Sequence, residues 1–309
     1  GLLEPNREPR VVAYGSPGPG KAPLDGNSVF RIASITKAFT GTLLASMVVD
    51  GTLTLDDPVQ RWLPSGVTIP KRNGRVITLR DLATHTSGLP RSPPDLPPGT
   101  NDLVGPDYSA ERLYAALSTY TLPRDPGGRW AYSNIGVSLL GHALAHAAGK
   151  PYGQLVAERI LVPLGMQQSA LTPTAEMEEH LALGHDAPGN CRPESGCRAD
   201  VVPPEGNPPV YVPAGGLFST ANDLLRFLTA NIDAAAQRRT DGIGRAMAFA
   251  QRPHYAGKLN GSRILWGLNW WIRVTPAGDT IIHHGGGMPG YGTFIAFAPA
   301  QRKDVVVLS

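Results

Sequence analysis

The segment Phe30-Arg31-Ile32-Ala33-Ser34-Ile35-Thr36-Lys37-Ala38-Phe39 holds the most informative spacing in this 309-residue chain. Ser34 and Lys37 are three residues apart, so their side chains share one face of a helix. A serine hydroxyl is a poor nucleophile at neutral pH, and a lysine can activate it when the surroundings lower the pKa of the lysine. The spacing therefore predicts a nucleophile and its activator at the start of one helix.

The residues that follow Lys37 predict that this helix is buried. Residues 38–49 are largely apolar, and Asp50-Gly51 supplies a helix stop. Only 6 of the 28 basic residues are lysines, and a buried lysine is costly unless its charge is compensated. The alternative for an isolated Ser-x-x-Lys match is a polar first helical turn without a catalytic role.

The composition indicates a globular protein and limits its partners. The chain is 41% hydrophobic and 17% charged, with a net charge of +3. The basic residues are not clustered, so nothing points to nucleic acid. We find no apolar run that is long enough to span a bilayer and no signal peptide after Gly1, as expected for a mature exported protein or for a cytosolic one.

Two cysteines, Cys191 and Cys197, enclose a short segment with Pro193 and Gly196. These two residues favour a turn that brings the sulfur atoms together, which predicts a disulfide and an oxidising compartment. Two free thiols in a cytosolic loop are the alternative. No histidine follows at zinc-finger spacing, so we expect no metal site here.

Secondary-structure signals divide the chain into a helical middle and strand-bearing ends. Helices are predicted at residues 34–49, 77–85, 110–116, 135–148, 152–161 and 220–228, with a helical turn at 55–59. Strands are predicted at residues 10–14, 264–274, 280–283, 291–298 and 305–308. Residues 92–101 and 186–213 are predicted to be loops.

This order of elements predicts an α/β (α+β) fold with an antiparallel sheet flanked by helices. The sheet is built from both chain ends, and a mainly helical lobe is inserted between them. The predicted boundaries are 1–50 and 205–309 for the sheet lobe and 51–204 for the helical lobe.

A second segment with candidate site residues is Trp130-Ala131-Tyr132-Ser133-Asn134. An extended backbone aims Tyr132 and Asn134 to the same side. A phenol transfers protons when a nearby cation lowers its pKa, and a carboxamide both donates to and accepts from an amide substrate. The alternative is a helix-capping Asn134 beside a packed Tyr132.

A third segment, His283-His284-Gly285-Gly286-Gly287, follows the strand-like residues 280–282. Glycines on a strand indicate close approach by a ligand or by backbone. His284 is a candidate to orient a substrate carboxylate, and a glycine-rich hairpin with exposed histidines is the alternative. Adjacent strand residues face opposite sides, which argues against a metal site formed by His283 and His284.

In order along the chain, Ser34-x-x-Lys37, Tyr132-x-Asn134 and His284-x-Gly286 resemble the signature of penicillin-recognising enzymes, Ser-x-x-Lys, Ser-Asp-Asn and Lys-Thr-Gly. The resemblance is to the class C type of the serine β-lactamase and penicillin-binding-protein family. Residues 82–89 and 213–220 also resemble segments of this family. The segments around Ser34 and Leu82 look closest to D-alanyl-D-alanine carboxypeptidase/endopeptidases of the AmpH type.

The resemblance implies a role for each residue of the first two motifs. Ser34 would be the acylated nucleophile, and Lys37 would hold or accept a proton and lower the pKa of Tyr132. Tyr132 would act as general base and then as acid toward the leaving group. Asn134 would bind the substrate amide.

The resemblance also implies that the glycine-rich strand binds substrate. His284 would take the position of the lysine in Lys-Thr-Gly, with Gly286 and Gly287 beside it. The N–H groups of Ser34 and Gly287 would hold the oxyanion. No cofactor is expected.

The expected function is a serine hydrolase that cleaves amide or ester bonds through an acyl-enzyme. Its expected substrates are D-alanyl peptides of peptidoglycan or β-lactams, in the periplasm or outside a bacterial cell. Because the segment from His284 to Gly286 lacks the threonine of Lys-Thr-Gly, a family VIII-type carboxylesterase and a D-amino-acid amidase are alternatives. A non-catalytic penicillin-binding sensor or scaffold is the alternative of another class.

Relatives of this type continue past their last strand into a helix on the sheet. We therefore expect one sheet face of the given sequence to be bare or covered by something else.

Overall fold

The computed structural model of this protein describes residues 1–4, 8–97, 105, 107–186, 200–202, 208–259 and 261–309. The strands in chain order are β1 (Leu2–Leu3), β2 (Val29–Arg31), β3 (Gly184–Asp186), β4 (Asp200–Val202), β5 (Phe218–Thr220), β6 (Tyr255–Leu259), β7 (Ser262–Trp266), β8 (Trp271–Val274), β9 (Thr280–Met288), β10 (Tyr291–Ala298) and β11 (Lys303–Leu308). The α-helices are α1 (Thr36–Val49), α2 (Leu79–Ala83), α3 (Ala110–Ser118), α4 (Asn134–Ala148), α5 (Tyr152–Val156), α6 (Val162–Leu164), α7 (Ala175–Glu179), α8 (Val212–Gly215), α9 (Ala221–Ala235) and α10 (Gly242–Ala250).

The main sheet has seven strands in the order β1-β11-β10-β9-β8-β7-β6. Every neighbouring pair in this sheet is antiparallel. The first strand comes from the start of the chain and the other six from its end, and helices flank the sheet. The predicted fold class is therefore confirmed, while the boundary between the two lobes stays a prediction.

The predicted strand at residues 10–14 is wrong. Leu2 and Leu3 pair with Val305 and Asp304 instead, and Arg10 forms only an isolated bridge with Leu2. Of the apolar residues in the predicted strand, Val11 packs against the core, whereas Val12 is 72% exposed and Tyr14 is 99% exposed. Apolar character alone therefore does not make this segment a strand.

The single strand predicted at residues 264–274 is two strands, β7 and β8, joined by a tight connection. The Gly267 N–H donates to the Trp270 carbonyl at 2.8 Å, and Asn269 has the left-handed φ of 58° that asparagine tolerates better than most residues. The turn places Trp270 in the core, fully buried.

Other differences lie in the second half of the chain. Strand β9 extends five residues past the predicted end at His283, and β6 and α10 were not predicted. The predicted irregular stretch 186–213 includes β4, which pairs with β3, and it ends in a 3-10 turn at Pro209–Tyr211 and the first residues of α8. The predicted disulfide lies outside the described residues, because it involves Cys191 and Cys197.

Helix α1 is the central element of the core. Phe39 of α1 stacks on Phe227 of α9 with ring centroids 4.2 Å apart, and Phe227 stacks on Trp270 at 6.0 Å. Trp270 in turn contacts Phe297 of β10 edge to face. This aromatic stack fixes α1 between the helices and the sheet. In the described part of the chain, no helix is both long and apolar enough to cross a membrane.

The packing of α1 leads to a prediction about Gly41. A Cβ atom at Gly41 would collide with the backbone carbonyl of Leu268, whereas a Cβ atom at Gly242 in α10 would meet nothing within 4 Å. We expect Gly41→Ala to lower the free energy of unfolding by about 2 kcal/mol or more, because the core cannot yield at a backbone atom. Gly242→Ala should leave it unchanged or raise it by up to about 1 kcal/mol. Urea unfolding of both variants checks this, and equal effects would contradict the close approach.

Candidate active site

A strained turn holds Ser34 at the start of α1. Ala33 has a left-handed φ of 47°, which is uncommon for a residue with a side chain, and residues Ala33–Ile35 form a 3-10 turn. The Ile32 N–H donates to the Leu217 carbonyl at 3.0 Å. The α-helix therefore begins two residues later than predicted, and Ser34 is half-buried just before it.

Lys37 is fully buried and lies directly against Ser34. Its Nζ donates to Ser34 Oγ at 2.9 Å and to the Ala214 carbonyl at 2.7 Å. The same Nζ lies 5.0 Å from the centroid of the Tyr132 ring. The structure thus brings together three of the predicted site residues around one buried ammonium group.

Tyr132 and Asn134 lie at the entry to α4. Ser133 caps this helix, because its Oγ accepts from the Gly136 N–H at 2.9 Å, so the alternative of a capping Asn134 is wrong. The Asn134 N–H donates to the Arg91 carbonyl at 3.0 Å. The exposed Arg91 guanidinium lies 5.2 Å from the Tyr132 ring centroid, so a second cation flanks Tyr132.

His284 is buried on β9 and neutral. Burial, followed by the charge of Lys37, lowers its pKa to about 3. Its Nδ1–H donates to the Gly285 carbonyl at 2.7 Å, which leaves Nε2 unprotonated. His283 is half-buried, so the alternative of a hairpin with two exposed histidines is wrong.

The glycines of β9 allow the strand to pass beside the Ser34 turn. A Cβ atom at Gly286 would lie 2.5 Å from the Ile32 carbonyl oxygen and 3.0 Å from the Ser34 nitrogen. At Gly285 it would make only ordinary contacts at 3.7 Å, and at Gly287 it would meet nothing within 4 Å. Gly286 is thus the position where a side chain is excluded by the nucleophile turn itself.

Two residues beside Tyr132 were not predicted as functional. Arg91 is one, and His85 is the other, with its ring centroid 4.5 Å from that of Tyr132. His85 lies in segment 82–89, which resembles the family in sequence, but the sequence analysis assigned no function to His85. Among the described residues, no group of histidine, cysteine, aspartate and glutamate side chains is arranged to hold a metal ion.

Comparison with known proteins agrees with this geometry. The beta-lactamase family model matches residues 6–309. The chain is 33% identical over 305 residues to D-alanyl-D-alanine-carboxypeptidase/endopeptidase AmpH of Escherichia coli K12. The alignment covers 96% of this chain and 74% of AmpH.

Solved structures of the same fold also match. A beta-lactamase/D-alanine carboxypeptidase from Yersinia pestis, complexed with citrate, matches with a TM-score of 0.73 at 28% identity. The matched region covers 96% of this chain and 82% of the Yersinia pestis chain. A class C beta-lactamase matches with a TM-score of 0.72 at 25% identity, and the matched region covers 93% of this chain and 78% of the β-lactamase chain. The chain therefore belongs to the beta-lactamase family of serine hydrolases, and it is of the β-lactamase and D-alanyl-peptidase type.

Proposed function

We propose that this protein forms an acyl-enzyme on Ser34 and hydrolyses D-alanyl peptides or β-lactams. The observation that carries the proposal is the hydrogen bond from the buried Lys37 Nζ to Ser34 Oγ, with the Tyr132 ring beside the same ammonium. The names of the Escherichia coli and Yersinia pestis relatives support D-alanyl substrates. Such substrates would place the protein in the periplasm or outside the cell.

Tyr132 is the proton carrier in this mechanism. In this mechanism Lys37 is an ammonium ion, and in that form its Nζ donates to Ser34 Oγ and has no lone pair with which to take a proton. The positive charges of Lys37 and Arg91 beside the Tyr132 ring favour its phenolate. The phenolate oxygen then accepts the proton from Ser34.

Acylation begins when Ser34 Oγ bonds to the substrate carbonyl carbon and its proton moves to Tyr132. The N–H groups of Ser34 and Gly287 hold the oxyanion, and Asn134 binds the substrate amide. The bond to the leaving group then breaks, and Tyr132 returns the proton to that group. In deacylation, water gives a proton to Tyr132 and bonds to the ester carbon. The bond from that carbon to Ser34 Oγ then breaks, Tyr132 returns the proton to Oγ, and the acid is released.

His284 and Gly285 bear on which substrates are accepted. His284 is neutral at working pH, and Gly285 carries no hydroxyl, so this strand offers a substrate carboxylate neither a charge nor a side-chain donor at these positions. This favours substrates whose leaving group has no free carboxylate, as in endopeptidase cleavage. The same feature keeps a carboxylesterase as the second candidate function.

Substitution of the two hydroxyl residues tests the mechanism. We expect Ser34→Ala to abolish turnover of p-nitrophenyl esters and a D-alanyl-D-alanine peptide, and Tyr132→Phe to lower kcat by about a hundredfold or more. Tyr114→Phe is the matched control, because its partly buried hydroxyl shares a hydrogen bond with His142 between α3 and α4. Near wild-type kcat in folded Tyr132→Phe would remove Tyr132 from its role. Activity that survives Ser34→Ala would refute the mechanism.

A methyl group at Gly286 tests the contact between β9 and the nucleophile turn. Gly286→Ala should lower kcat by about a hundredfold, because its Cβ would lie 3.0 Å from the Ser34 nitrogen and would displace that oxyanion donor. Gly292→Ala adds the same group to the neighbouring strand β10, where the nearest atom is the flexible Ser309 Oγ at 3.3 Å. Steady-state rates of the two variants check this, and equal rates would contradict the assignment of this strand.

A pair of substrates tests the consequence of a neutral His284. We expect kcat/KM for a D-alanyl-D-alanine peptide and for its C-terminal amide to agree within about tenfold. A buried charge paired with the carboxylate would separate them by about thirtyfold or more. Hydrolysis of both peptides, followed by chromatography, gives the ratio, and a hundredfold preference for the free acid would contradict this account.

A further inference from the structure

His85 contacts the polypeptide on both sides of Tyr132. Its carbonyl oxygen accepts from the Ala131 N–H at 2.8 Å, and its Nδ1 accepts from the Ser133 N–H at 3.1 Å. The two hydrogen bonds therefore hold the residue before Tyr132 and the residue after it. One side chain and its own backbone thus fix the segment that presents the phenol.

The ring of His85 also contacts the phenol itself. It stacks on Tyr132 with ring centroids 4.5 Å apart and an angle of 27° between the planes. Trp266 and Trp130 contact His85 edge to face at 5.1 Å and 6.0 Å, so the imidazole cannot move away from Tyr132 without displacing indoles. His85 is only 1% exposed.

The backbone of His85 is held in an uncommon conformation. Its φ is 58°, in the left-handed region where few residues other than glycine, asparagine, aspartate and histidine are found. A strained conformation persists only where its surroundings enforce it, and such residues cluster at functional sites. Here the left-handed turn is what lets the carbonyl and the ring reach Ala131 and Ser133 together.

The hydrogen bond to Ser133 requires a neutral ring. Nδ1 accepts an N–H, so the ring proton is on Nε2. Burial and then the positive charge of Lys37 lower the pKa of His85 well below its ordinary value, and Arg91 acts in the same direction. The acceptor is therefore present throughout the neutral pH range.

We infer that His85 is a positioning residue that holds Tyr132 against Lys37 and Ser34 by clamping residues 131 and 133 and stacking on the phenol. The inference rests on the proposed role of Tyr132 as proton carrier. A positioned proton carrier contributes to kcat, and a displacement of about 1 Å can cost about a hundredfold. His85 itself touches neither substrate nor the reacting atoms.

The experiment replaces His85 by asparagine. Asparagine tolerates a left-handed φ and keeps a small polar side chain, but it has no ring to stack on Tyr132. We expect His85→Asn to lower kcat by tenfold or more with KM changed less than twofold. His142→Asn is the matched control, because His142 is a neutral histidine whose Nδ1 shares a hydrogen bond with the Tyr114 hydroxyl between α4 and α3. The kcat of this variant should stay within twofold.

A double substitution separates positioning from a general structural effect. If His85 acts through Tyr132, then His85→Asn should cost less than twofold more in a protein that already carries Tyr132→Phe. The same fold-loss in both backgrounds would overturn the inference and leave the proposed function intact. An unchanged kcat in the single variant His85→Asn would also overturn the inference.

Circular dichroism and thermal unfolding accompany each measurement. If His85→Asn does not fold, His85→Gln supplies the same kind of acceptor on a longer arm and is measured in the same two backgrounds. If neither variant folds, His85 serves folding rather than the position of Tyr132, and the inference fails.

Discussion

The buried charge of Lys37 is the constraint on which the rest of the site depends. An ammonium group without water is costly unless hydrogen bonds replace its hydration. The Ala214 carbonyl and Ser34 Oγ supply two of these bonds. One turn along the same helix, Thr40 Oγ1 donates to the Pro213 carbonyl at 2.6 Å, so α8 is fixed to α1 at two successive carbonyls.

The same charge determines the state of its neighbours. His85 and His284 are both buried, and the charge of Lys37 adds to burial in lowering the pKa of each. Both rings are therefore neutral, and each uses Nδ1 for a backbone contact, His85 as acceptor and His284 as donor. The positive charge beside Ser34 Oγ is therefore that of Lys37, and in the proposed mechanism this charge favours a phenolate on Tyr132.

The sequence was sufficient for the local parts of this site. The three-residue spacing of Ser34 and Lys37 predicted their contact because residues three apart also lie on one face of the 3-10 turn that leads into α1. The apolar run after Lys37 predicted its burial. The glycines near His284 predicted a close approach, which Gly286 makes to Ser34 and Ile32. The fold class followed from the order of helices and strands.

Long-range contacts decided what the sequence did not predict. Leu2 and Leu3 displace residues 10–14 from the sheet because they can pair with β11, and no local signal carries that pairing. The role inferred for His85 depends on residues 131–133, almost fifty positions away, and on a left-handed φ that the sequence does not reveal.

The rate of acylation tests most directly whether Lys37 activates Ser34. Intact mass after quenched incubation with benzylpenicillin would be compared between the wild-type protein and Lys37→Met, which removes the charge and keeps a similar volume. We expect an adduct that maps to Ser34 and forms about a hundredfold more slowly in the folded variant. An equal rate in the two proteins, or an adduct on another residue, would contradict it.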